Sequence, residues 1–206
     1  MFCSYMSQIE KPGWHSRGYL PHYDANTLVQ HVVFRTIGSL PNHVLENLGT
    51  STPNARLTNV DLLLDQSTND AVFSIPEYAN IMQDALRYFD GDRYDLQAWC
   101  VMPNHVHVVL VTSPDVLLGK IVKSWKHSAA WSINKARGKS GSVFALDYFD
   151  RYVRNLRQAG TAIHYVEVNP VKAGLCPTAA DWLWGSAYYR ARGWQPRHDR
   201  LPMYLT

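Results

Sequence analysis

Two alternating runs of residues, joined by a short turn, constrain the fold of this chain more than any other feature. Residues 94–101 and 105–112 each favour a β-strand, and Met102-Pro103-Asn104 between them predicts a hairpin. Side chains on a strand alternate between two faces, so His105 and His107 are expected on the same face, about 6–7 Å apart. The opposite face then carries residues suited to a core: Val106, Val108 and Leu110.

The two histidines admit two interpretations at this point. Two imidazoles held side by side on a stiff strand make half of a site for a divalent metal. The same pattern also suits a strand whose polar face is half exposed to water. In both interpretations we expect the imidazoles to be half exposed.

Periodicity in the rest of the chain predicts a mixed α/β (α+β) domain. The expected core is a ferredoxin-like βαββαβ unit, a four-stranded antiparallel sheet with helices on one face, followed by a C-terminal helix that carries Tyr165 and by a tail. We expect an irregular arm over residues 1–27, a single domain over 28–187 and the tail over 188–206. The elements expected within the domain are a strand at 30–37, helices at 53–66 and 75–90, the hairpin, a helix from Ser113 to about Arg137, a strand at 147–154 and a helix at 156–168.

Composition restricts the class of protein. The chain has 206 residues, 46% of them hydrophobic, which is typical of a globular domain with a full core. No apolar run approaches the roughly 18–20 residues that cross a bilayer, and the N-terminus does not resemble a secretory signal. The cysteines Cys3, Cys100 and Cys176 are odd in number and far apart, which indicates a reduced cytoplasm and no paired-cysteine zinc site.

Charge is distributed unevenly along the chain. Residues 1–112 hold 6 Lys and Arg against 11 Asp and Glu, a balance of −5, whereas residues 113–206 hold 14 against 6, a balance of +8. A basic half is typical of a protein that binds a polyanion. The alternative is that surface charges are distributed unevenly along the chain by chance. The cations that we expect to contact a nucleic-acid backbone are Lys120, Lys123, Lys126, Lys139, Arg151, Arg154 and Lys172.

A second polar cluster lies about sixty residues after the histidines. Tyr165 and Asn169 are four residues apart, so they share a helix face if the helix extends that far. Pro170 disfavours helical torsions at Asn169, which predicts that the helix ends there. The amide oxygen of Asn169 would suit Mg²⁺ or Mn²⁺, and the phenol of Tyr165 could attack a phosphate; alternatively, Tyr165 packs and Asn169 caps the helix.

The His105-Val106-His107 triplet resembles the His-hydrophobic-His motif of single-strand DNA nucleases. Six stretches that span about residues 17–187 extend the resemblance: 17–22, 33–35, 99–107, 148–152, 165–175 and 181–187. In this order they resemble the REP-associated tyrosine transposases, relatives of the single-tyrosine transposases of small insertion sequences. Two departures are the absence of a tryptophan near Phe144-Ala145-Leu146 and the presence of Gly185 where serine is usual.

The resemblance implies a site and a reaction. His105, His107 and Asn169 would bind Mg²⁺ or Mn²⁺, and Tyr165 would be the nucleophile that cuts single-stranded or hairpin DNA through a 5′-phosphotyrosine link. The target would be a repetitive extragenic palindrome. His164 and Glu167 point to other helix faces than Tyr165, so neither is favoured as its base. A hairpin-binding regulator that has lost cleavage, and a hydrolase that uses water, remain the alternatives.

Bases of a single strand need aromatic platforms as well as cations. Four aromatic residues are candidates, each with a structural role as the alternative: Trp14, Tyr19, Trp182 and Trp184. The two C-terminal tryptophans in particular could instead pack the tail on the domain.

Overall fold

A four-stranded antiparallel sheet organises the part of the chain that the computed structural model describes, residues 13–16, 21–24, 28–40, 53–67 and 69–197. Its strands are β3 (Val29–Arg35), β4 (Tyr94–Val101), β5 (His105–Thr112) and β6 (Phe149–Tyr152), in the spatial order β4-β5-β3-β6. This is the strand order of a ferredoxin-like βαββαβ unit, as expected. Strand β5 pairs on both sides, with β4 and β3, so its residues lie in the middle of the sheet.

A separate two-stranded hairpin lies in the segment expected to be an irregular arm. Strand β1 (Gly13–Ser16) pairs antiparallel with β2 (Pro21–Asp24). The prediction of irregular structure was therefore wrong for these eight residues. Runs of four residues flanked by Gly and Pro are too short to show a period, and their pairing with each other is visible in the structure alone. Tyr19 lies outside the described residues.

One face of the sheet packs on two helices, α2 (Pro76–Arg87) and α3 (Leu118–Ala136). Val106, Val108 and Leu110 of β5 face these helices, and Trp125 of α3 is fully buried among them. Helix α3 begins at Leu118 rather than at the predicted Ser113, because Asp115 has a φ of 63° and its left-handed backbone cannot belong to a right-handed helix.

The other face of the sheet packs on α1 (Pro53–Gln66) and α4 (Leu156–Lys172). Val60 and Leu64 of α1 pack with Val33, and Val166 of α4 belongs to a cluster with Val109. Helices on one face were expected for the βαββαβ core, and α2 and α3 satisfy this. Helix α1 differs, because its apolar residues lie with α4 on the opposite face.

Helix α4 continues through Pro170 to Lys172, so the expected end at residues 168–169 was wrong. Its N-terminus is capped by Asn155, whose side chain accepts a hydrogen bond from the backbone N–H of Gln158. Pro170 removes one backbone donor, but the residue is buried and the helix continues past it. Tyr165 and Asn169 therefore lie one turn apart on a continuous helix.

The chain after α4 is tied to the sheet through tryptophans. The indole of Trp182 donates to the carbonyl oxygen of Val101, at 3.1 Å, and that of Trp184 donates to Asn80, at 2.8 Å. These contacts favour the structural alternative for both residues. The short helix α5 (Ser186–Arg190) follows. Within the described residues, no helix combines the length and apolar character that crossing a membrane requires.

Candidate active site

His105 and His107 lie on β5 beneath α1 and α4, and both are fully buried. The expected half-exposure was wrong, because the sheet face that carries them is covered by two helices instead of water. Burial lowers the pKa of His105 well below its usual value and that of His107 to about 3. Both imidazoles are therefore neutral at physiological pH, which is the form that binds a metal ion.

The tautomer of His105 is set by the turn that precedes it. Asn104 donates through Nδ2 to the carbonyl oxygens of Leu64 and Ser67, at 3.1 and 2.7 Å. Its Oδ1 must then accept, and it lies 2.7 Å from Nδ1 of His105. The proton of His105 is therefore on Nδ1, which leaves the lone pair of Nε2 directed into the site.

The Nε2 atoms of His105 and His107 face each other at 2.9 Å. Asn169 Nδ2 lies 2.9 Å from the same Nε2 of His107, whereas Asn169 Oδ1 is buried without a hydrogen-bond partner. Two nitrogens that each bind one cation at about 2.1 Å, at right angles, lie about 3 Å apart. The two imidazoles therefore fit a shared cation, and a half-turn of the Asn169 amide would add its oxygen.

A complete cage of charged ligands is absent from the described part of the chain. No three side chains of the His, Cys, Asp and Glu types are grouped there to hold a metal ion. The candidate centre instead consists of two imidazoles and one amide, with Asp65 of α1 at its edge, where Oδ1 lies 3.6 Å from His105 Nε2. Oxygen and imidazole donors with few charges suit Mg²⁺ or Mn²⁺ that also binds a phosphate.

The hydroxyl of Tyr165 donates to Oδ2 of Asp61, at 3.0 Å. The Tyr165 ring also lies edge-on to His107, with 6.0 Å between the ring centroids. Burial, followed by the charge of Asp61, raises the pKa of the Tyr165 phenol, and burial raises the pKa of Asp61 to about 8. The structure thus brings Tyr165 beside the predicted histidines and adds a carboxylate that the sequence did not indicate.

His31 of β3 is a second residue that sequence reasoning missed. Its Nε2 lies 3.4 Å from Nδ1 of His107, and its ring centroid is 6.1 Å from that of Tyr165. Burial lowers its pKa well below the usual value. The signal was its position on a predicted strand, but only the pairing of β3 with β5 shows that its side chain shares the face of His107.

The seven predicted cations separate into distinct groups. Lys172 lies over the Tyr165 ring, with its Nζ 4.3 Å from the centroid, and Arg151 pairs with His31 across β3 and β6, on the site's face of the sheet. Arg154 is exposed just after β6. Lys120 and Lys123 are exposed on α3, across the sheet, and Lys139 is exposed in the loop after α3.

Lys126 is engaged inside the protein. Its ammonium group donates to the carbonyl oxygens of Ala145, Leu146 and Asp147, at 2.9 to 3.3 Å. Burial lowers its pKa to about 8. This residue holds the loop before β6 in place, so the expectation of a DNA contact does not agree with its geometry.

Residues 74–169 match the family model described as "Transposase IS200 like". This segment contains both histidines, Tyr165 and Asn169. This segment is therefore similar to the IS200-like transposases, the class expected from the motifs of the chain. No curated protein matches the sequence.

Two solved structures are similar to this chain. One is a REP-associated tyrosine transposase bound to a REP hairpin, at 14% identity and a TM-score of 0.56, with 84% of each chain covered. The other is a candidate transposase from Deinococcus radiodurans R1, at 20% identity and a TM-score of 0.35, covering 75% of this chain and 96% of that one. The first structure shares the fold of this chain.

Proposed function

We propose that this protein is a metal-dependent single-strand DNA endonuclease and strand transferase that acts on hairpin DNA of the repetitive extragenic palindrome type. The observation that carries the proposal is the position of Tyr165 at the edge of His107, one helical turn before Asn169 and beside two converging imidazoles. A nucleophile next to a cation-binding set is the arrangement that phosphoryl transfer requires.

His105, His107 and Asn169 would hold a divalent cation through the two Nε2 atoms and the amide oxygen. When bound, the cation supplies Lewis-acid polarisation of a phosphate oxygen and neutralises the charge that develops there. Asn104 and His31 orient the two imidazoles from behind, which limits the reorganisation needed for binding.

Tyr165 attacks the scissile phosphorus through its hydroxyl oxygen, opposite the leaving 3′-oxygen. A bond forms between the phenolic oxygen and phosphorus, and the bond between phosphorus and the 3′-oxygen breaks. The products are a 5′-phosphotyrosine and a free 3′-hydroxyl. Since the ester bond is exchanged and not hydrolysed, an incoming 3′-hydroxyl can reverse the step and join strands without ATP.

Cations around the site would position the strand. Lys172 and Arg151, which flank Tyr165, would contact the DNA backbone nearest the scissile phosphate. Arg154, just after β6, would contact the next part of the DNA backbone. Lys120, Lys123 and Lys139 lie farther away and would meet the body of a hairpin. Contacts of this kind bind any sequence and weaken with salt.

The decisive experiment compares wild type with Tyr165→Phe on hairpin-bearing single strands labelled at either end, with Mg²⁺ or Mn²⁺, on a denaturing gel. The change removes one oxygen, so folding and DNA binding are expected to persist while cleavage and the covalent adduct vanish. Tyr88→Phe is the matched control, because Tyr88 is exposed on the α2 side of the sheet. Cleavage by Tyr165→Phe would indicate a hydrolase, and absence of cleavage by wild type would indicate a binding protein.

A further inference from the structure

The buried carboxylate of Asp61 forms a hydrogen bond with Tyr165, the nucleophile of the proposed reaction. Only 1% of its surface is exposed; Oδ2 accepts from the Tyr165 hydroxyl, at 3.0 Å, and Oδ1 is buried without a hydrogen-bond partner. Burying a carboxylate with one oxygen unpaired is unfavourable because the charged form loses its hydration, so the position of Asp61 needs a reason. Carboxyl groups whose pKa is shifted by burial and by a specific partner are typical of functional sites.

The other candidate bases near Tyr165 are occupied or directed elsewhere. Glu167 accepts hydrogen bonds from Ser186 and Arg190, which ties α4 to α5. His164 is exposed on another face of α4. His31 directs Nε2 toward His107 and meets Tyr165 ring to ring, with 6.1 Å between the centroids. Among the described residues, the carboxylate that accepts a hydrogen bond from the Tyr165 hydroxyl is that of Asp61, which makes it the favoured base.

We propose that Asp61 is the proton acceptor of Tyr165, an inference that rests on the proposed function. As the phenolic oxygen forms its bond to phosphorus, the phenolic proton passes to Asp61 Oδ2, and the bond to the 3′-oxygen breaks. That leaving oxygen takes a proton from water on the far side of the phosphate. In strand joining, Asp61 returns its proton to the departing phenolic oxygen, so one carboxyl group serves both directions.

The charge environment suits this task. Burial raises the pKa of Asp61 to about 8, and Asp65 on the same helix contributes to the increase, while Tyr165 and Lys172 of α4 and Arg151 of β6 oppose it. A proton acceptor is most effective when its pKa lies near the working pH, since it is then both basic and available. A carboxylate with its ordinary pKa would be a much weaker base for a phenol.

Asp61→Asn tests the role directly, because it retains the size of the group and an accepting oxygen but removes its basicity. We expect cleavage at saturating DNA and metal to fall by about 10²–10⁴-fold, with DNA affinity and the half-saturating metal concentration unchanged. Asp84→Asn, on the exposed face of α2, is the matched control for loss of one negative charge. The wild-type rate should rise with pH and level off near the Asp61 pKa of about 8, and the variant should lack this rise.

A more acidic nucleophile provides the second measurement. Fluorotyrosine at position 165 loses its proton more easily, so it should reduce the penalty of Asp61→Asn at least tenfold if the penalty reflects proton transfer. A variant that cuts at the wild-type rate, or an unchanged penalty with fluorotyrosine, would overturn the role of Asp61 while leaving the transposase proposal intact. Absence of cleavage by the wild type would instead overturn the proposed function, and this inference with it.

Discussion

Asn169 carries a buried carbonyl oxygen without a hydrogen-bond partner, one turn of α4 after Tyr165. A polar atom left unsatisfied inside a protein is costly, typically about 1–3 kcal/mol, so its presence needs a reason. Coordination of a cation shared with His107 supplies one. The alternative suggested by the sequence, a cap at the end of the helix, does not apply, because α4 continues to Lys172.

Replacing Asn169 by Ala should raise the Mg²⁺ or Mn²⁺ concentration for half-maximal cleavage by about tenfold or more, because one oxygen ligand is lost. Asn169→Asp should be affected less, since a carboxylate oxygen can occupy the same position. The measurement is a metal titration of the cleavage rate, with Asn80→Ala on the other side of the sheet as the control. An unchanged titration for Asn169→Ala would remove this residue from the metal site.

The raised pKa of Asp61 also predicts how the free energy of unfolding changes with pH. Its pKa is raised from 3.8 to about 8, so between these values the folded state binds more protons than the unfolded state, and the free energy of unfolding falls as pH rises. Asp65, with a pKa raised to about 6, acts in the same direction at lower pH. The free energy of unfolding should therefore fall between pH 6 and pH 8 in both proteins, but the fall should be smaller in Asp61→Asn than in wild type. The difference between the two should be on the order of 1–3 kcal/mol. Urea unfolding across this range measures it, and parallel curves would contradict it.

At the scale of elements, the turn between β4 and β5 couples the strand of histidines to α1. Asn104 is the link, because its amide binds two carbonyl groups at the end of α1 and the imidazole of His105. Helix α1 in turn supplies Asp61 and Asp65. A three-residue turn thus fixes the relative position of two elements that carry the site.

We expect Asn104→Ala to lower the free energy of unfolding by about 1–3 kcal/mol, because two backbone carbonyl groups lose their donor. Cleavage should fall by about tenfold or more, since His105 loses the contact that sets its tautomer. Asn134→Ala is the matched control: its amide binds Gly141 and Arg137 at the end of α3, remote from the histidines. Thermal unfolding and cleavage assays report both effects. Wild-type cleavage by a folded Asn104→Ala protein would contradict the coupling.

At the scale of the whole molecule, the sheet separates the predicted cations. Lys172 and Arg151 lie on the face of Tyr165, whereas Lys120 and Lys123 lie on α3, which packs on the other face. The uneven charge along the sequence does not predict this separation into two faces, because all four residues belong to the basic half of the chain.

Substitution of Arg151 or Lys172 by Ala should lower the cleavage rate even at saturating DNA, because these groups lie beside Tyr165, the proposed nucleophile. Substitution of Lys120 or Lys123 should lower affinity alone and leave the saturated rate unchanged. Each loss of a phosphate contact should reduce the salt dependence of binding by about one unit of slope. Binding titrations over a range of salt, with single-turnover cleavage, test the division. Equal effects of both groups on the saturated rate would contradict it.

The local structure around the site follows from the order of neighbouring residues. The alternation over residues 94–112 gave both strands and the hairpin with their observed bounds, because a period of two is a property of neighbouring residues. The four-residue spacing likewise placed Tyr165 and Asn169 on one helix face. Local rules failed at Pro170, because burial of this residue within the packed helix outweighed the usual preference to end the helix there.

The surroundings of those residues depend instead on contacts between distant parts of the chain. The hydrogen bond between Tyr165 and Asp61 joins residues 104 positions apart, and the contact between His31 and His107 joins residues 76 positions apart. The burial of His105 and His107 depends on α1 packing on the face opposite α2, and no period in the sequence distinguished these two helices by face. A sequence pattern records which side of an element is apolar, whereas the partner of that side is chosen by the packing of the whole domain.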